Sequence, residues 1–71
     1  MLNMLVIGHR CKHYRKFVLK CTQEDVSRET GFSTSNISAF ETGRNDSALI
    51  FLWYLSHGMK LEYVMGGEPI E

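Results

Sequence analysis

Gln23-Glu24-Asp25-Val26-Ser27-Arg28-Glu29-Thr30-Gly31-Phe32-Ser33-Thr34-Ser35-Asn36-Ile37-Ser38-Ala39-Phe40-Glu41-Thr42 reads as two short helices hinged at a glycine. Just ahead of it, Thr22 can accept a bond from a first-turn N–H while Asp25 reaches back, the reciprocal pattern of a capping box. Glu24 and Asp25 also stand where the helix dipole favours negative charge. Gly31 ends this helix after about two turns and supplies the positive φ of a tight turn. Ser33 then caps a helix from Thr34 to Glu41, and Gly43 is a left-handed stop. Ile37 and Phe40, three apart, anchor that helix inward, and the small Ser27 lets the two helices approach. The opposite face stays free. Such a unit, residues 23 to 42, is a helix-turn-helix, whose second helix enters the major groove of duplex DNA.

Outward from this unit the chain keeps the same punctuation. Glycines at 8, 31, 43, 58, 66 and 67 separate segments of helical length, and none shows strand alternation. In the first segment Ile7, Cys11, Tyr14 and Val18 recur at steps of four, three and four, one helix face. Downstream, Asp46 or Ser47 caps a helix running to about His57 that is apolar nearly all round, and Gly58 ends it. Leu61 to Met65 makes a further short turn, and the tail from Gly66 reads as frayed. The fold expected is all-α and five-helical: one domain over 1–71 with its core over 7–66.

The chain has 71 residues, 44% of them apolar and 23% charged, a globular composition. A body this small buries only about 60% of the surface its unfolded chain exposes, which leaves little room for a deep substrate pocket. Eight Lys and Arg balance eight Asp and Glu, so a uniformly basic nucleic-acid coat is excluded while a local basic face is not. That face falls at the start: Arg10, Lys12, Arg15, Lys16 and Lys20 precede the first acid, Glu24. The longest apolar run, Ala48 to Leu55, is far short of the roughly 20 residues a membrane span needs. The start lacks a basic n-region and cleavage site, so a soluble, cytoplasmic protein is expected. Cys11 and Cys21 fit that compartment as free thiols.

These landmarks resemble the Cro/CI-type family of phage and bacterial repressors, the lambda-repressor-like domains. Thr22 to Ser27 is similar to the family's second helix, and Gly31-Phe32-Ser33 with Asn36 to Arg44 resembles its turn and recognition helix. Ile7 to Arg10, Tyr14-Arg15, His57 to Met59 and Leu61 to Met65 resemble its flanking helices, so the likeness spans about residues 7 to 67. The chain departs from the pattern in three places. The connection from Arg15 to Thr22 is one residue longer, Thr30 replaces an apolar residue, and the stretch from Gly43 to Gly58 is shorter and lacks a proline.

The resemblance implies a small phage or prophage transcriptional regulator binding a double-stranded DNA operator as a homodimer, with helix 34–41 in the major groove. Thr34, Ser35 and Ala39 then occupy base-reading places with Ser38 beside them, the Ser and Thr hydroxyls making adaptable single bonds and the methyl groups of Thr34 and Ala39 touching thymine. Gln23, Ser33, Asn36, Thr42 and Arg44 anchor the DNA backbone, joined by Arg10 and Lys16. Glu41 pairs with Arg15, or with Lys16 when the register is counted back from Thr22. The dimer interface falls to Phe51, Trp53, Tyr54, Leu61 and Met65, because six consecutive apolar residues go fully round a helix. Leu2, Leu5 and Val6 offer a rival cover for the same helix.

Other chemistry finds less support. His9 and His13 stand four apart without a third ligand at metal spacing, so neither a metal nor a cofactor is expected. No nucleophile motif or oxyanion loop frames the Ser, His and Asp residues, and an enzyme is not expected. The competing reading is a protein-interaction module of the same fold that grips another repressor, a toxin or a polymerase. Zero net charge and the all-round apolar helix favour it.

Overall fold

Asn3 accepts a bond from the Leu5 N–H at 2.8 Å and so caps the first helix, α1, Met4–His13. The computed structural model describes residues 3–64, so the readings placed on Leu2, Met65 and the tail from Gly66 lie outside the described residues. After α1 the chain does not leave the helix. It widens into a π-helical segment, Tyr14–Leu19, and stops at Lys20 in the left-handed conformation (φ 54°). The Arg15 carbonyl accepts the closing bonds, from the N–H groups of Lys20 and Cys21. The wide turn has absorbed a residue within the helix, where the sequence pattern showed an over-long connection.

That turn corrects the first-helix stripe. Ile7, Cys11 and Tyr14 are buried, but Val18 is 42% exposed. A π turn closes through i→i+5 bonds and rotates less per residue than an α turn. With Tyr14 and Arg15 both buried at the start of the wide turn, the inward side comes round again at Leu19, which packs against the core in place of Val18. Gly8 is also not a stop. It lies buried inside α1, where an added Cβ would stand 2.2 Å from the Phe40 carbonyl oxygen.

The remaining helices follow local rules. Thr22 and Asp25 form the capping box of α2, Gln23–Thr30, with bonds of 3.1 and 2.9 Å, and Gly31 closes it at φ 82°. Ser33 Oγ accepts from the Asn36 N–H to start α3, Thr34–Glu41. Gly43 turns the chain at φ 80°. Ser47, not Asp46, caps α4, Ala48–Ser56, with its Oγ on the Ile50 N–H. Gly58, at φ 98°, precedes Met59 and the single turn of α5, Leu61–Val64.

Among the described residues the fold is therefore all-α, with five α-helices and no strand. No helix there is long and apolar enough to cross a membrane. Val26 from α2, Ile37 and Phe40 from α3, and Ile50 and Tyr54 from α4 are fully buried at the centre, with the Phe40 and Tyr54 rings stacked 6.4 Å apart. Met59 and Val64 close the core from the C-terminal side.

Tyr54 corrects the expected dimer interface. It is 0% exposed and cannot meet a second molecule. An all-round apolar helix gives no phase from which to tell its inward side. In the structure Ile50 and Tyr54, four apart, take the core, while Phe51, Trp53 and Leu55 are half-buried and Leu49 and Leu52 face out.

Candidate nucleic-acid interface

The outer surface of α3 is short and polar. Thr34, Ser35 and Asn36 are exposed, while Ser38 and Ala39 are half-buried beside them. Among the described residues no hydrogen bond engages the side chains of Thr34, Ser35 or Asn36, so their donors and acceptors are free for an external partner. The helix is fixed from behind by Ile37, Phe40 and Glu41, all buried.

Glu41 is the hub of that fixation. Arg15 Nε and Nη2 donate to its two carboxylate oxygens at 2.7 and 3.2 Å, a bidentate pair. Gln23 Nε2 donates to Oε1 at 2.9 Å and the Tyr54 hydroxyl donates to Oε2 at 3.2 Å. One carboxylate thus collects donors from the π segment, α2 and α4. Arg15 Nη1 also donates to the Cys21 carbonyl at 2.9 Å, tying the residues after the π turn into the same knot. Lys16 is exposed, so the register counted forward from Gly8 is the one the pair adopts, and the extra residue lies after Arg15.

Burial and charge act on this knot in opposite senses. Desolvation lowers the proton affinity of Arg15, but the hydrogen bond and charge of Glu41 outweigh it and raise the guanidinium above its ordinary value. Tyr54 is pushed well up, first by burial and then by the Glu41 charge, so its phenol stays a donor. Both groups keep the protonation state the network requires.

The cationic and polar residues near α3 divide between two clefts. Lys16, Lys20, Gln23 and Thr34 line one open cleft of about 740 Å³, together with the carboxylate-bearing Glu24. In it the end of the π segment meets the first residues of α2 and α3. Arg10 is not there. It lies in a second cleft with Thr42, its guanidinium carbon 5.4 Å from the Tyr63 ring centroid.

At the far end of α3, Thr42 Oγ1 donates to the helix carbonyls of Ser38 and Ala39 and accepts from Arg44 Nε at 3.1 Å. That bond steadies the exposed Arg44 beside the outer face. Ser33 is exposed, and its cap bond uses an oxygen lone pair, so its O–H remains available. Gln23 uses one amide hydrogen on Glu41 and keeps a second. The double role of Gln23 and the part of Tyr54 escape a sequence reading. Only the rule that a buried tyrosine hydroxyl needs a partner hints at the latter.

His9, exposed, and His13, half-buried, stand on α1 with ring centroids 4.6 Å apart. Among the described residues no group of three or more His, Cys, Asp or Glu side chains gathers as metal ligands do. No protein-family model, no curated protein and no solved structure matches the chain.

Proposed function

We propose that the protein is a sequence-specific duplex-DNA-binding transcriptional regulator of the lambda-repressor-like kind, with α3 as its recognition helix. One observation carries the reading. Among the described residues the exposed face of α3 is free of internal side-chain bonds, while its inner face is locked by a buried carboxylate with four donors. A reading helix needs this combination, because base contacts discriminate only when the side chains that make them arrive in fixed positions.

In this reading Thr34, Ser35, Ser38 and Ala39 meet base edges, and Asn36, Ser33, Thr42 and Arg44 meet the backbone. Lys16 and Gln23 in the open cleft supply further phosphate contacts, with Lys20 beside them. Phosphate anchoring would be modest, given few cations and a nearby Glu24. Two copies on a palindromic site would compensate, each placing one α3 about 34 Å from the other. The exposed Leu49 and Leu52 of α4 and Leu61 of α5 are apolar surface suited to joining them.

The same apolar surface supports a second reading, a module that grips another regulatory protein. Selection of duplexes from a random library on the purified protein, followed by a salt titration of the winner, separates the two. Enrichment of one palindromic motif with affinity falling steeply in salt supports DNA reading. No duplex bound at low salt transfers the function to the interaction module.

A further inference from the structure

A half-open cleft of about 770 Å³ lies between α1, the end of α3 and α5, away from the free face of α3. Leu5 and Val6 form one apolar wall, and among the described residues they are 60% and 43% exposed. The Tyr63 ring forms another wall and carries the Arg10 guanidinium. Lys12, His9 and His13 line the same space. Among the described residues the lone carboxylate of the lining is Glu41, and it is buried and already satisfied by Arg15, Gln23 and Tyr54.

We propose that this cleft is a binding site for a small aromatic carboxylate. Its volume lies within the ~300–1,000 Å³ of small-ligand sites, and such sites join apolar walls to a few placed polar groups. The cation sits at the edge of the apolar part. Its contact with Tyr63 holds the guanidinium in place before any ligand arrives. Among the described residues, two of the lining also carry a buried nitrogen without a hydrogen-bond partner, Arg10 Nη1 and His13 Nδ1. A buried polar group left unmet costs free energy, which an acceptor recovers once the Arg10 guanidinium turns toward the cleft to meet it. A carboxylate supplies two acceptors to the Arg10 fork, and a flat ring covers Leu5 and Val6. A phosphate alone would leave those apolar walls wet.

The proposal stands apart from DNA binding, because the ligand is measured on the free protein. Benzoate, 2-naphthoate and indole-3-carboxylate are titrated by calorimetry and by amide chemical shifts in NMR. The expected result is saturable binding of at least one with a dissociation constant below about 1 mM. Shifts should cluster on Leu5, Val6, Arg10, Thr42 and Tyr63. The matching neutral carboxamide and inorganic phosphate should bind at least about tenfold more weakly, since each lacks half of the recognition. Arg10→Gln should cost a similar factor, and Val6→Trp, which fills the cleft from an exposed position, should abolish binding while the circular dichroism spectrum and melting midpoint stay near those of the parent. Equal binding of acid and amide, equal binding of phosphate, or no saturation with any of the three acids overturns the proposal.

Discussion

Gly8 and the Phe40 carbonyl are in contact across the α1–α3 crossing, with no room for a side chain between them: an added Cβ would lie 2.2 Å from the oxygen and 2.9 Å from the Glu41 carbonyl carbon. The neighbour is backbone, so it cannot swing aside. Gly8→Ala would gain up to about 1 kcal/mol of helix propensity but must push α1 off the helix that carries the free polar face, and overpacking of this kind costs roughly 1–3 kcal/mol. A urea or thermal melt should show a net loss of stability. A midpoint equal to or above the parent's would mean that the two helices slide apart without cost.

Glu41 offers a sharper test of the knot behind α3. Removing one partner of a buried pair costs roughly 3–5 kcal/mol, because the other charge stays buried and uncompensated. A 71-residue chain has only about 4–10 kcal/mol of stability in all. Glu41→Ala should therefore leave the chain largely unfolded at room temperature by circular dichroism. Replacing both partners, Arg15→Met with Glu41→Leu, should recover much of the loss. A stable Glu41→Ala protein would show that Arg15 escapes to water.

The two tests separate what the sequence made legible from what it hid. Thr22 with Asp25, Ser33 and Gly31 act through their nearest neighbours, and their roles follow from residue type and spacing alone; the left-handed turn at Gly43 does too, but its close approach to the Leu5 backbone, where an added Cβ would lie 2.8 Å from the Leu5 Cα, does not. Val18 and Tyr54 depend on rotation about a helix axis. A single π turn moves the inward position to Leu19, and a helix apolar all round carries no phase to read. Gly8 looks like punctuation until the partner helix is in place, because nothing local marks a close crossing. The Arg15–Glu41 pairing was legible only through resemblance, and its buried helpers Gln23 and Tyr54 required the fold.

Cys11 reports the opening of the core. It is fully buried, and burial, followed by the Glu41 charge, pushes its thiol up to about 12. The thiolate is the reactive form, so at pH 8 Cys11 should resist a disulfide reagent until the chain unfolds. Cys21 is half-buried and also raised, first by burial, and should react first, more slowly than a free thiol. Stopped-flow labelling should give two phases, with urea accelerating the slower one. Two thiols modified together in native buffer would contradict the burial of Cys11.

Asp25 gives a pH dependence with a definite sign. Its carboxyl is lowered, first by the bond from the Thr22 backbone N–H and then by the Thr22 hydroxyl, with Arg28 adding to the effect. A depressed folded-state pKa contributes stability that is present above the unfolded value, about 3.9, and is lost as pH falls through the lower folded value. The parent should thus be more stable than Asp25→Asn at pH 7, and the gap should close below about pH 4. Melts of both proteins from pH 7 to pH 2.5 read this directly. A gap that persists at pH 2.5 would assign the difference to something other than the carboxylate charge.

Leu49 and Leu52 bear on assembly. They stand three residues apart on α4 and are 64% and 54% exposed, while Ile50 and Tyr54 of the same helix are fully buried. Trp53 is turned to the side, its indole N–H donating to Glu29 at 3.1 Å and its ring stacked on His57, so it belongs to the joint between α2 and α4. If a second copy covers the exposed leucines, light scattering at micromolar concentration should give twice the mass of one chain. Leu52→Glu should then return the protein to a monomer without lowering its unfolding midpoint by more than the loss of association accounts for. Trp53 fluorescence should barely change, since its surroundings lie within one chain. A monomer in the parent protein, or a dimer that survives Leu49→Glu with Leu52→Glu, would place any self-association on another face and strip the two-copy reading of its basis on α4.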